Sequence, residues 1–199
     1  MNGQMLNDRS SALSLLKTRR SGRPREMVGP GPTADELRQM LEIAMRVPDH
    51  GKLAPWRFVV VGKDQRDQLV SLLHRALQEE NPEAGPIHHE KAEQFARQGE
   101  ALVVILSSPI QNHKIPVWEQ ELSAGAAAMN LLHAAHAHGY VGGWITGWEA
   151  YSPKVNAAFA RPGERIAGFV YIGSPGRELE ERPRPNPAEI VRNWDPPSD

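Results

Sequence analysis

The chain contains no cysteine. Disulfide frameworks, thiolate zinc sites, iron–sulfur clusters and cysteine nucleophiles are therefore all excluded. It has little surplus charge: 23 Lys and Arg stand against 24 Asp and Glu, a net charge of -1. The basic excess of a nucleic-acid binder is missing, so no nucleic-acid partner is expected. There is no G-x-G-x-x-G, no P-loop lysine motif and no G-x-S-x-G, which removes the usual signatures of Rossmann dehydrogenases, P-loop kinases and α/β-hydrolases. The N-terminal stretch MNGQMLNDRSSALSLLKTRR has no apolar run long enough for a signal-peptide core. A cytoplasmic location is the expectation.

What is present is an ordinary globular composition, 40% hydrophobic and 24% charged. Residues 1–9 are polar and expected to be flexible. Ser10 or Ser11 can cap a first helix with Ala12, Leu13, Leu15 and Leu16 facing inward, ending near Arg19–Gly22. Residues 22–32 read as an irregular loop around GPGP. Thr33 and Glu36 form a capping box ahead of Leu37, Met40, Leu41, Ala44 and Met45, the spacing of an amphipathic helix. Pro48 stops it. Residues 57–61 read as a strand, 64–80 as a helix, 87–98 as weakly helical, 101–106 as a buried strand, 119–138 as a long Ala-rich helix closed by Gly139, and 140–146 as a short extended segment. Ser152-Pro153 opens another helix, and 166–173 is a further strand. Residues 177–199 have almost no core residues and read as a surface arm pinned by Trp194. The order of elements lacks the regular βαβ alternation of a doubly wound sheet. The expected fold class is α+β, one domain over 1–199, with a mixed or antiparallel central sheet and helices around it.

From Leu122 to Trp148 there is no Asp, Glu, Lys or Arg. Three histidines, an asparagine and several glycines break the apolar run, and most of its apolar members are Ala, so it fails as a membrane span. It reads instead as a helix buried on nearly all sides, at the centre of the fold or in an obligate dimer interface.

Four groups of residues carry possible chemistry. Arg19, Arg20 and Ser21 follow the first helix; two guanidinium forks and a hydroxyl suit a phosphate monoester, although arginine at a helix C-terminus also complements the dipole. Arg46 and His50 follow the second helix, where they can donate to a carbonyl or an anion or sit on a solvated loop turned by Asp49. Gly142-Gly143-Trp144-Ile145-Thr146-Gly147-Trp148 lets backbone approach a flat ligand, with Trp144 or Trp148 stacking on it or filling the core. His133, His136 and His138 suggest a metal, but no carboxylate or cysteine lies nearby to complete a shell. No metal site is expected. Glu119 and Glu121 are two apart and point to different sides of a helix.

Read together, six stretches resemble the nitroreductase family, and within it the compact YdjA-like group. They are LKTRRS (16–21), AMRVPDH (44–50), APWRFVVV (54–61), HKIPVWEQELSAG (113–125), HGYVGGW (138–144) and GFVYIGSP (168–175), in the family's order. The resemblance implies a nitroreductase-like fold, an intertwined homodimer and two FMN sites at its interface. It implies that Arg19, Arg20 and Ser21 hold the FMN phosphate and ribityl chain. It places Arg46 and His50 at the flavin, with part of the site from the partner subunit, and lays Trp144, Ile145 and Thr146 against the cofactor. Ile145 departs from relatives that carry a basic residue there, leaving only backbone donors. The implied activity is electron transfer from NAD(P)H through FMN to a nitroaromatic, quinone or related small molecule by a ping-pong scheme, with no catalytic side chain required. Two other readings remain open from the residues alone: a flavin-binding carrier or sensor with little turnover, and a dimeric interaction module without flavin.

Overall fold

The computed structural model describes residues 5–197. Helix α1 (Ala12–Thr18) starts at Ser11, whose hydroxyl accepts from the Ser14 amide. Asn7 and Asp8 are bonded back onto its end: the Asn7 amide donates to the Thr18 carbonyl, and the Asp8 amide to Thr18 Oγ1. Residues 1–4 of the segment expected to be flexible lie outside the described residues. Residues 22–32 are not wholly irregular, since a 3-10 turn (Pro24–Glu26) leads into a two-residue strand β1 (Met27–Val28). Helix α2 (Ala34–Ala44) has the complete capping box, with Glu36 N donating to Thr33 Oγ1 and Thr33 N to Glu36 Oε2.

Strand β2 (Trp56–Val61), helices α3 (Arg66–Glu80) and α4 (Pro86–Arg97), strand β3 (Ala101–Ser107) and helix α5 (Val117–Ala137) follow. Then come β4 (Val141–Ile145), a 3-10 turn (Trp148–Ala150), α6 (Pro153–Phe159), β5 (Arg165–Pro175) and a short α7 (Pro187–Ile190). Every strand pairing among the described residues is antiparallel. β3 lies between β2 and β5. β5, the longest strand, pairs with β3, β4 and β1. The fold is α+β, as the order of elements predicts.

Helices cover both faces of the sheet. On β3, Leu102, Val104 and Leu106 pack with the α3, α4 and α6 side, while Val103 and Ile105 pack with α2 and α5. β5 alternates the same way, with Phe169 and Tyr171 on the first face and Val170 and Ile172 on the second. That two-sided burial explains why both strands read as continuous apolar runs rather than alternating ones. Each such side chain, fully buried, contributes roughly 1.5–3 kcal/mol.

Three expectations about packing are corrected. In α1 only Leu15 is buried among the leucines; Leu13 and Leu16 face outward, because seven residues present one narrow stripe to the core. α5 is buried along its sheet-facing side, but Trp118 and Leu122 are 61% and 60% exposed. One apolar stripe of the helix therefore has none of the described residues over it. Trp194 is 78% exposed and does not pin the arm.

Candidate functional site

The end of α1 brings positive charge together. Arg19 Nη1 donates to Ser21 Oγ (3.3 Å), and Arg20 Nε donates to the Glu180 carbonyl of the C-terminal arm (2.7 Å). Arg184 Nη2 reaches the Arg19 carbonyl (3.2 Å). Burial, followed by the guanidiniums of Arg184, Arg20 and Arg182, lowers the pKa of Arg19. Like charges are costly to hold this close without an anion among them. Glu181 offsets part of the charge and is itself bonded to Arg184 (2.9 Å). Half of this cluster, Arg182 and Arg184, comes from the arm. The sequence signal was the RPRP run, which reads by itself as solvated surface.

His133 and His136 of α5 lie within electrostatic reach of Arg19. His136 is wholly buried and accepts from the Gly142 amide at Nε2 (3.3 Å), while its Nδ1 and that of His133 have no hydrogen-bond partner among the described residues. Burial, then Arg19, then His133 pushes the His136 imidazole down to about 4, so it is neutral at pH 7. Among the described residues no three His, Asp or Glu side chains gather as a metal site.

β4 leads from this cluster to a cavity of about 530 Å³ lined by Glu121, Gly125, Trp144, Thr146, Tyr151 and Arg165, among others. Strand alternation separates the predicted trio. The Trp144 indole lies over Gly168, where a Cβ would collide with it, and donates to the Ala167 carbonyl (3.2 Å). The next side chain, Ile145, turns to the other face and packs on the α3–α4 core. Only its backbone remains toward a ligand on the Trp144 side.

Arg46 and His50 form a separate group on the α2–β2 loop, which is tied along α5. Ser123 Oγ donates to the Pro48 carbonyl (2.7 Å), Asn130 Nδ2 to the Arg46 carbonyl (3.3 Å), and His50 Nδ1 pairs with Glu119 (2.9 Å). Asp49 turns the loop by accepting from the Leu53 and Ala54 amides. The Arg46 side chain is exposed and has no hydrogen-bond or ion-pair partner among the described residues. His50 is bonded to α5 at Glu119, whereas Arg19 lies within electrostatic reach of it at His133 and His136. At 1.5 Å per residue these positions are roughly 21–26 Å apart along the helix. Within one chain, then, the structure does not bring Arg46 and His50 together with Arg19, Arg20 and Ser21.

The family model described as "Nitroreductase family" matches residues 16–174. The "Putative NAD(P)H nitroreductase YdjA" of Escherichia coli strain K12 is 35% identical over 165 residues, which are 82% of this chain and 88% of the relative. A nitroreductase-like family protein from Bacillus cereus superposes with a TM-score of 0.78 at 22% identity, covering 93% of this chain and 96% of that one. A protein from Desulfovibrio desulfuricans solved in complex with FMN superposes at 0.69 and 20% identity, covering 93% and 97%. The last two likenesses bear on the fold.

Proposed function

The chain belongs to the nitroreductase family, a family of oxidoreductases, and on that premise we propose that it binds FMN and uses NAD(P)H to reduce a nitroaromatic, a quinone or a related small acceptor. The observation that carries this reading is the Arg19–Arg20–Arg184 cluster. It offers several guanidinium forks with too few acids to neutralise them, which suits a dianionic phosphate. Arg19, Arg20 and Ser21 would hold the phosphate end of FMN, and Arg182 and Arg184 would reinforce that charge. Trp144, Thr146 and the Ile145 backbone would lie against the ring. Arg46 and His50 would contact the ring from a second chain. Their separation from Arg19 along α5 supports that division, as does the outward stripe of Trp118 and Leu122 on that helix. A two-fold homodimer covering the stripe would complete two sites at once.

When bound, FMN would supply the redox chemistry of a ping-pong transfer from NAD(P)H to the acceptor; the protein's part would be to bind, orient and tune it. No side chain is assigned a proton-transfer role. The reading places the protein in the cytoplasm and treats residues 1–199 as one FMN-binding domain. Visible absorption of the purified protein, before and after adding FMN, tests it. Flavin bands that persist through gel filtration and bleach rapidly with NAD(P)H are expected. Persistent bands without bleaching would favour a carrier or sensor. Colourless protein that takes up no FMN would remove every site assignment.

A further inference from the structure

On the opposite face of the sheet from α5 lies a larger cavity, of about 800 Å³, between α3, α4 and the segment Trp148–Pro153. Its apolar walls include Leu77, Phe95, Trp148 and Pro153. None of the eight residues assigned to FMN lines it. Glu149 does, and Glu149 is only 4% exposed. No other residue among those described gives its carboxyl a hydrogen bond or an ion pair; its own backbone amide is the one donor. The carboxyl lies against Gly147, where a Cβ would strike it and where φ is +65°, so the turn after β4 is shaped around this acid.

The surrounding charged groups do not neutralise it. Glu80 of α3 is engaged by Ser152 Oγ and the Lys154 amide (both 2.9 Å), and Lys154 Nζ is bonded to Glu79. Arg66 donates to the carbonyls of Ala96 and Gln98. The Tyr171 hydroxyl donates to the Phe95 carbonyl. Lys91 and His88 of α4 stand exposed at the rim. Burial raises the Glu149 carboxyl to about 7. A lone buried carboxyl is costly, and such groups gather where ligands bind. The volume is that of a small-molecule cleft.

We propose that this cleft is a second small-molecule site, distinct from the flavin site, that takes a compact aromatic or alkyl amine as its cation, with the apolar part against Leu77, Phe95 and Trp148 and the ammonium paired with Glu149. Among the described residues the one buried ionisable side chain lining the cleft is an acid, Glu149, negative at pH 8, and Leu77, Phe95, Trp148 and Pro153 supply apolar wall. A neutral ligand of the same shape leaves that charge without a partner.

Isothermal titration of the full-length, FMN-treated protein with phenethylamine tests this, with 2-phenylethanol as the neutral analogue. At pH 8 the amine should bind at least tenfold more tightly than the alcohol. Glu149→Gln should weaken the amine at least tenfold. Glu121→Gln, which alters the acid of the 530 Å³ cavity instead, should leave it unchanged. Equal binding of amine and alcohol, or loss in Glu121→Gln but not in Glu149→Gln, overturns the proposal. If Glu149→Gln does not fold, the wild-type pH profile decides. The amine stays protonated from pH 8 to 6, so affinity should fall about tenfold over that range as Glu149 takes up a proton, and should do so equally in His88→Gln. A flat profile, or one abolished by His88→Gln, overturns the proposal.

Discussion

Arg57 and Glu164, 107 residues apart in sequence, meet as a two-pronged ion pair: Nε to Oε1 at 2.8 Å and Nη2 to Oε2 at 2.6 Å. The same carboxylate accepts from Ser108 Oγ (2.7 Å) and the Arg161 amide (2.8 Å), and Arg57 also donates to the Phe159 carbonyl (3.0 Å). The pair fastens the start of β2 to the turn between α6 and β5. Removing one partner leaves the other only partly satisfied, because Glu164 is 5% exposed. Arg57→Ala should cost about 2 kcal/mol in a urea unfolding midpoint at pH 7.

This network also sets an acid dependence. Its hydrogen bonds, led by those from Arg57, hold Glu164 down at about 2, against 4.5 for a free glutamate. A lowered folded-state pKa stabilises above the unfolded value and is lost as pH falls through the folded one. The contribution should be complete above pH 4.5 and should disappear between 4.5 and 2. Urea midpoints measured from pH 7 down to 3 should therefore fall more steeply in wild type than in Glu164→Gln. Parallel curves would assign the acid sensitivity to other groups.

Arg19→Ala should weaken FMN binding tenfold or more, since a charge-assisted contact contributes roughly 1.5–3 kcal/mol. Arg184→Ala should weaken it by a smaller factor, because that side chain is exposed and acts from the arm. Both losses should shrink as salt is raised. Flavin fluorescence titrations at two ionic strengths measure this. An Arg184→Ala protein with wild-type affinity at low salt would take the arm out of the site.

Arg46→Ala removes an exposed guanidinium that has no partner among the described residues. It should raise the Kd for FMN roughly tenfold or lower the flavin potential. Unchanged affinity and unchanged potential, measured together, would remove Arg46 from the site.

Leu122→Glu places a charge in the outward stripe of α5 while leaving the sheet-facing core untouched. Light scattering should show a dimer for wild type and a monomer for the variant, and FMN should be lost with the dimer, because on the proposed two-chain arrangement each site would lack its second chain. A monomeric variant that keeps FMN would overturn the two-chain site.

Much of this molecule is legible in its residues. Thr33 and Glu36 specify the start of α2 by local chemistry, and Ser152-Pro153 does the same for α6. ALVVIL and IAGFVYIG announce buried strands because only a covered sheet tolerates them. Arg19-Arg20-Ser21 and the Gly142–Trp148 segment are visible as candidates since their side-chain chemistry is unusual wherever it falls. Tertiary structure decided what depends on distance between remote parts of the chain. It brought Arg184 from the arm to Arg19, Glu164 to Arg57, and a lone carboxyl at Glu149 into an apolar cleft. It turned Ile145 away from Trp144, and it separated His50 from Arg19 by most of the length of α5. Local sequence fixes backbone conformation and which groups carry charge. Which charges meet, and which are stranded in low dielectric, is set only when the sheet's two faces are covered.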